Sequence, residues 1–315
     1  MQSDPSNLYQ PLDPPPEPIY PIRLLRIQRG WGHEDIICSF FESYPDQRAP
    51  AYKALSYRWS EFGEGMTYRD PQLLIEGHDS SAFEVGENLY AAIRQIRRKD
   101  QEVLLWADAI CIDQKNKDEK GHQVQQMGMV YEAAEEVFIW LGSSTPDIER
   151  LFAFSTWIDQ EATGAQAGIT NLKEVDWRSL CAQFLNKSRS EFEVDAIARG
   201  LKDILARDWW KRPWILQEVA MARTAKIMCG SATCPARIFA LLPSLMAIEV
   251  SAHTEAVLDI MPRLRKGTWW ATRRDLHFLL CKLRRAKPAG QGTRYTPCSA
   301  CQKMLATRGG STLAT

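Results

Sequence analysis

The sequence predicts an α/β fold in which helices cover a parallel sheet. Three observations carry this prediction. Tyr52–Trp59 alternates Ala54, Ser56 and Arg58 against Leu55, Tyr57 and Trp59, the period of a strand. Val103–Ala107 and Val137–Leu141 are apolar runs too short for helices and long enough for buried strands. Between these runs lie segments with a helical stripe, and strand–helix–strand alternation favours parallel pairing.

Taken in order, residues 1–21 hold Pro5, Pro11, Pro14, Pro15, Pro16, Pro18 and Pro21, which exclude a helix or a central strand. They predict an extended arm, ordered only where it lies on something, with residues 1 to about 18 expected to add little to stability. Ile22–Ile27 and Asp35–Phe41 read as strands added before the sheet, and Leu73–Ile75 as a short strand ending at Gly77. Glu87–Arg98 is an amphipathic helix with Leu89, Ala92, Ile93 and Ile96 on its apolar stripe. Asp118 is a candidate cap for the next helix, where Val124, Met127, Val130, Tyr131 and Ala134 recur at helical spacing. Ile148–Ile158 reads as helix and residues 164–168 as loop. Leu201–Leu205 opens a helix toward Trp209 and Trp210, and Pro213 suits the first turn of a helix through Ala222. Lys226–Cys229 reads as a strand closed by Gly230, and Pro235–Ala247 as a helix. Residues 22–250 thus form the main domain, 251–287 a helical extension, and 288–315 a polar, aperiodic tail.

Composition narrows the function. Lys plus Arg and Asp plus Glu both number 39, so no global field attracts nucleic acid or an anionic membrane surface. No apolar run approaches the roughly 20 residues of a membrane-spanning helix. The polar, Pro-rich start is unlike a secretory signal. The eight cysteines are scattered and sit mostly in apolar runs, which fits reduced thiols in a cytoplasmic protein. His33, His78, His122, His253 and His277 show no metal spacing, and Cys298-x-x-Cys301 is a single pair, so no metal is expected.

Three blocks carry a family resemblance: Tyr52-Lys-Ala-Leu-Ser-Tyr-Arg-Trp59; Leu105-Trp-Ala-Asp-Ala-Ile-Cys-Ile-Asp-Gln114, with Glu119, Gln123, Met127, Tyr131 and Trp140-Leu-Gly142 after it; and Arg207-Asp-Trp-Trp-Lys-Arg-Pro-Trp-Ile-Leu-Gln-Glu-Val219. In this order they resemble the fungal heterokaryon incompatibility (HET) domain. That resemblance implies a signalling module in non-self recognition and regulated cell death, driven by a protein partner or by self-association. HET domains are similar in architecture to TIR domains, which implies a TIR-like, flavodoxin-like parallel sheet. Trp214-Ile-Leu-Gln-Glu218 matches the Trp-x-x-x-Glu pattern of TIR enzymes that cleave NAD. The alternative functions are therefore an NAD-cleaving or nucleotide-hydrolysing enzyme using Glu218, with NAD as substrate, or a family member without activity.

The candidate residues follow. Asp108 directly succeeds a buried strand, where open parallel sheets form their crevice; it is a candidate catalytic carboxylate or a loop-bracing Asp. Glu218 shares a helix face with Trp214 and could stabilise an oxocarbenium-like ribosyl centre, or be a solvated Glu near a helix start. Tyr57, Trp59, Trp214 and Gln217 are ligand-binding candidates, with core packing the competing role for the aromatics. Asp108, Tyr57, Trp59, Gln217 and Glu218 are expected to converge at the carboxyl edge of the sheet.

The tail adds one expectation. Members of this family commonly continue, after a helix like Asp275–Arg285, with a sequence close to Pro-Arg-Asp-Lys-Val-Tyr-Ala-Leu-Leu-Gly. Gln291 to Ala300 can be encoded so that a shifted frame reads Arg-Asp-Lys-Val-Tyr-Ala-Leu-Leu-Gly. The tail from about Pro288 is accordingly read as frame-shifted and disordered, a reading the nucleotide sequence decides.

Overall fold

The apolar runs assemble into one nine-stranded sheet. The computed structural model describes residues 9–12, 19–32, 34–46, 49–59, 71–76, 82–164, 193–212 and 214–262. The tail expected to be frame-shifted, the helix expected over residues 275–285 and the Cys298/Cys301 pair lie outside the described residues. In chain order the elements are β1 (Ile22–Ile27), β2 (Ile37–Ser43), β3 (Lys53–Tyr57), β4 (Gln72–Ile75), β5 (Ala82–Glu84), α1 (Glu87–Ile96), β6 (Val103–Trp106), α2 (Asp108–Cys111), α3 (Lys117–Ala133), β7 (Glu136–Trp140) and α4 (Pro146–Gly164). They continue with α5 (Val194–Ala206), a 3-10 turn (Asp208–Lys211), α6 (Ile215–Ala220), β8 (Ala225–Cys229), β9 (Ala232–Pro235), α7 (Ala236–Phe239), α8 (Leu242–Leu245) and α9 (Ala252–Ile260).

The sheet order is β5-β4-β2-β1-β6-β3-β7-β8-β9. The adjacent strands β6-β3-β7-β8 are mutually parallel, and β2 pairs parallel with β4. β1 runs antiparallel to β6 and to β2, and β9 antiparallel to β8. The α/β sheet flanked by helices is as expected, but it is mixed: the added strands β1 and β9 run antiparallel to the parallel core. The reason is local: β1–β2 and β8–β9 are joined by short connections, which only antiparallel pairs allow. β3 lies between the two strands that follow it in the parallel set, so winding reverses there. Right-handed crossovers then place α1 and α3 on opposite faces.

Several boundaries moved for identifiable reasons. The cap of α3 is Asn116, whose side chain accepts from the backbone N–H groups of Asp118 and Glu119; Asp118 sits in the first turn. The helix expected over Pro235–Ala247 is a strand end and two short helices, because Pro243 starts α8 afresh and Ala247 takes a positive φ of 51°. α4 and α5 pack closely at Gly200, where an added Cβ would stand 2.5 Å from the carbonyl oxygen of Asp147.

Trp106, Trp209 and Trp210 are buried in the core. Trp209 and Trp210 meet edge to face at 4.9 Å, and Trp210 stacks on Phe239 at 6.0 Å. One ion pair in this interior joins the sheet to α3. Arg23 on β1 grips Glu119 on α3, with side chains only 4% and 9% exposed.

Where it is described, the arm forms no helix or strand and is docked on the fold. The Tyr9 ring packs against Phe40 and Phe83, lies under the Arg23 guanidinium, and its hydroxyl donates to the Ile110 carbonyl. Tyr20 stacks on His122 at 3.9 Å and exchanges backbone hydrogen bonds with the Gln126 amide. Gln123 donates to the Pro21 carbonyl. The Tyr9 and Gln10 contacts run against the expectation that residues 1 to about 18 add little to stability; deletion to residue 18 followed by a melting curve tests it. Proline removed backbone donors from it, but side chains of β1 and α3 supply the missing partners.

Candidate functional site

The carboxyl ends of β3 and β6 lie side by side, and three short elements converge on them: α2, the 3-10 turn and α6. Ser56 on strand β3 is fully buried. A buried hydroxyl needs partners. Trp209 Nε1 donates to Ser56 Oγ at 2.9 Å, and Ser56 donates to Glu218 Oε2. The Arg212 guanidinium takes the carboxylate as a fork, Nη1 to Oε2 at 3.0 Å and Nη2 to Oε1 at 2.8 Å. Glu218 is 1% exposed, so its charge is held by this pair and not by water. Burial works against the Arg212 charge, but the Glu218 carboxylate more than offsets it and raises its pKa.

Asp108 opens α2, where its carboxylate accepts from the backbone N–H of Ala109 at 2.8 Å. Trp59 Nε1 donates to both of its oxygens, at 3.0 and 3.1 Å, and the Tyr57 hydroxyl bonds it as well. Gln114 ties down the Asp108 carbonyl. Burial, and then the field of Glu218, push the Asp108 carboxyl up to about 6. The Trp59 N–H, the Arg212 charge and the Ala109 N–H pull it partly back. Burial and the Asp108 charge likewise hold the Tyr57 hydroxyl well above its ordinary range.

This environment has a testable consequence. An Asp ionises near 4 in the unfolded chain. With its folded value near 6, the folded state keeps the proton longer, so stability falls as pH rises between about 4 and 6. Asp108 keeps some contact with solvent, so the cost at neutral pH is set at about 2 kcal/mol, below what the full shift would give. Asp108→Asn keeps an oxygen for Trp59 and Ala109 but loses the charge. It should stabilise the protein at pH 7.5 by up to about 2 kcal/mol, and the gain should vanish below pH 4. Urea titrations at the two pH values check this; a gain of the same size at both removes the electrostatic explanation.

The sequence-selected residues thus fall into two connected groups. Tyr57 and Trp59 share hydrogen bonds with Asp108, and Glu218 reaches it through its field. Tyr57 is buried, whereas Trp59 is 48% exposed and flanks Asp108. Trp214 is 37% exposed at the start of α6, and its carbonyl accepts from the N–H groups of Gln217 and Glu218. Gln217 is half-buried, and its Oε1 is buried without a hydrogen-bond partner. Ser56, Trp209 and Arg212 belong to the cluster without having been selected. Their signals were a serine in an otherwise apolar strand and an Arg six residues before the Trp-x-x-x-Glu glutamate.

A cavity of about 350 Å³ opens beside this cluster, lined by Arg58, Asn88, Trp140, Arg207, Asp208 and Trp209. It lies at the ends of β3 and β7, where the winding reverses. Trp209 joins it to Ser56 and hence to Glu218. Among the described residues no group of three or more metal-binding side chains occurs, and no helix is long and apolar enough to cross a membrane.

Comparison with known proteins places this geometry. The chain is 28% identical over 235 residues to heterokaryon incompatibility protein 6, OR allele, of Neurospora crassa, which covers 68% of this chain and 34% of that protein. The chain thus matches about a third of that relative's length. No solved structure matches it significantly. The family model of heterokaryon incompatibility proteins (HET) matches residues 52–218, from the start of β3 to Glu218. The two ends of the matched segment meet in the Ser56–Glu218 hydrogen bond, and the chain belongs to the HET family.

Proposed function

We propose that this chain acts as a signalling module in fungal incompatibility, converting contact with a protein partner or a second copy of itself into regulated cell death. One observation carries the reading. The family match runs from Tyr52 to Glu218, and the cluster of Tyr57, Trp59, Asp108, Arg212 and Glu218 lies within it. The stability cost expected of the Asp108 charge at neutral pH supports this reading, since residues kept at such a cost are commonly kept for function. Induced expression in a filamentous fungus should reduce colony viability, and Asp108→Ala or Trp59→Ala should restore growth at equal protein levels. Normal growth with the unaltered chain, or killing undiminished by both variants, sinks the proposal.

A second reading, cleavage of NAD or a related nucleotide through Glu218, has its own support. The four parallel strands lie in the order second, first, third, fourth, that of doubly wound sheets that bind ligands where winding reverses. The cavity sits there, and Arg58 among its lining residues suits a phosphate if its 3.8 Å pair with Asp208 gives way. TIR-like architecture is part of this reading. For it to hold, Arg212 must release Glu218 when substrate enters. Nicotinamide release from NAD by concentrated protein, lost in Glu218→Gln and changed in pH profile by Asp108→Asn, supports it. No release from well-folded protein favours a family member without this activity.

A further inference from the structure

The turn that carries Asp108 is held by more than its own segment. Within the β6–α3 stretch, Gln114 bonds the Asp108 carbonyl, and the Cys111 thiol accepts from the Ala107 N–H and reaches back to the Leu105 carbonyl. Glu119 accepts from the Asp113 N–H. One further tie comes from about 100 residues away: the Tyr9 hydroxyl donates to the carbonyl of Ile110 at 3.1 Å. Ile110 is two residues from Asp108 in the four-residue helix α2. So short a helix has no run of internal hydrogen bonds to hold it, and an outside tie to its backbone bears on where Asp108 sits.

The segment supplying that tie is held differently from the rest of the fold. Residues 9–12 and 19–20 belong to no helix or strand. Among the described contacts, side chains fasten them: Arg23 to the Gln10 carbonyl and over the Tyr9 ring, Phe40 and Phe83 against that ring, and Gln126 to Tyr20. A segment held by a few side chains can come away without unfolding the sheet, because local openings need far less free energy than global unfolding. Its removal would free the Ile110 carbonyl and leave the Arg23–Glu119 pair uncovered.

We propose that residues 9–12 act as a displaceable strap: Tyr9 pins the α2 turn and so sets the position of Asp108, and lifting the strap remodels the candidate site. Tyr9 is a positioning residue in this arrangement. The proposal rests on the site lying at Asp108 and not on what the site does, so its test needs no activity. The Trp59 indole N–H, bonded to the Asp108 carboxylate, is the reporter. The full chain is labelled with ¹⁵N at tryptophan, and the Trp59 signal is assigned by its loss in Trp59→Phe. Tyr9→Phe keeps the ring and its packing but removes the hydroxyl. It should move the Trp59 signal while the other indole signals stay largely in place and the melting temperature changes little. Tyr9→Ala should move it further in the same direction. A Trp59 signal unmoved in Tyr9→Phe overturns the strap, as does a general shift of all indole signals with a fall in melting temperature. If Tyr9→Ala does not fold, Tyr9→Phe decides alone.

Discussion

Replacing Arg23 with methionine is expected to destabilise the protein by about 4 kcal/mol, because breaking a buried ion pair strands the remaining charge. Both side chains are nearly inaccessible, and Arg23 meets the Glu119 carboxylate through both of its terminal nitrogens. In the variant Glu119 keeps the Asp113 N–H but no countercharge. The same guanidinium holds the Gln10 carbonyl and covers the Tyr9 ring, so the N-terminal segment should loosen too. Removing both charges, as in Arg23→Met with Glu119→Met, should recover much of the loss, since apolar replacement of a whole buried pair is often neutral. Denaturant melts of the two single variants and the double variant check this. A single-variant loss under about 1 kcal/mol would mean that water reaches Glu119 and the pair is not structural.

Glu218→Ala should cost about 3 kcal/mol, or roughly 6–10 °C in melting temperature for a domain of this size. The expected loss is smaller than for Arg23 because the Arg212 side chain is 16% exposed and can recruit water once its partner is gone. The change also leaves the Ser56 hydroxyl without its acceptor, and with it the Trp209 indole loses a braced partner. Arg212→Met should be at least as damaging, since it leaves a carboxylate 1% exposed without its countercharge. A double-mutant cycle over Arg212 and Glu218 gives the coupling directly. Coupling near zero would show that the two charges are held independently. Any assay of Glu218 variants must be read beside their melting curves, because lost activity and lost fold would otherwise look alike.

Sequence pattern found the parallel strands well, and for a clear reason. β3, β6, β7 and β8 are short, apolar and closed by turn residues, so period and length together identify them. It failed where the partner decides. β9 carries Ala232, Thr233, Cys234 and Pro235, no strand pattern at all, and exists because β8 offers it an edge. The buried face of α3 includes Gln123 and Gln126, which look solvent-facing until the backbone of Tyr20 and Pro21 is laid against them. In the site, Asp108 was legible because it follows a buried strand. Ser56 and Arg212 were not, because a hydroxyl and a guanidinium acquire meaning only from the carboxylate between them. Trp59 and Trp209 show the same limit: neighbouring motifs hold both indoles, yet one is largely exposed and the other buried.

The antiparallel β1 bears on where this molecule can be cut. It sits between β2 and β6 in the middle of the sheet, although it precedes the residues the family model matches. β8, which completes the parallel set, follows them. A fragment trimmed to residues 52–218 would therefore carry two raw seams, one along β6 from Val103 to Leu105 and one along β7 from Val137 to Trp140. Each would present unpaired amides and carbonyls flanked by apolar side chains, the template on which chains stack into aggregates. The stretch by which relatives are recognised and the stretch that folds are different lengths of the same polypeptide.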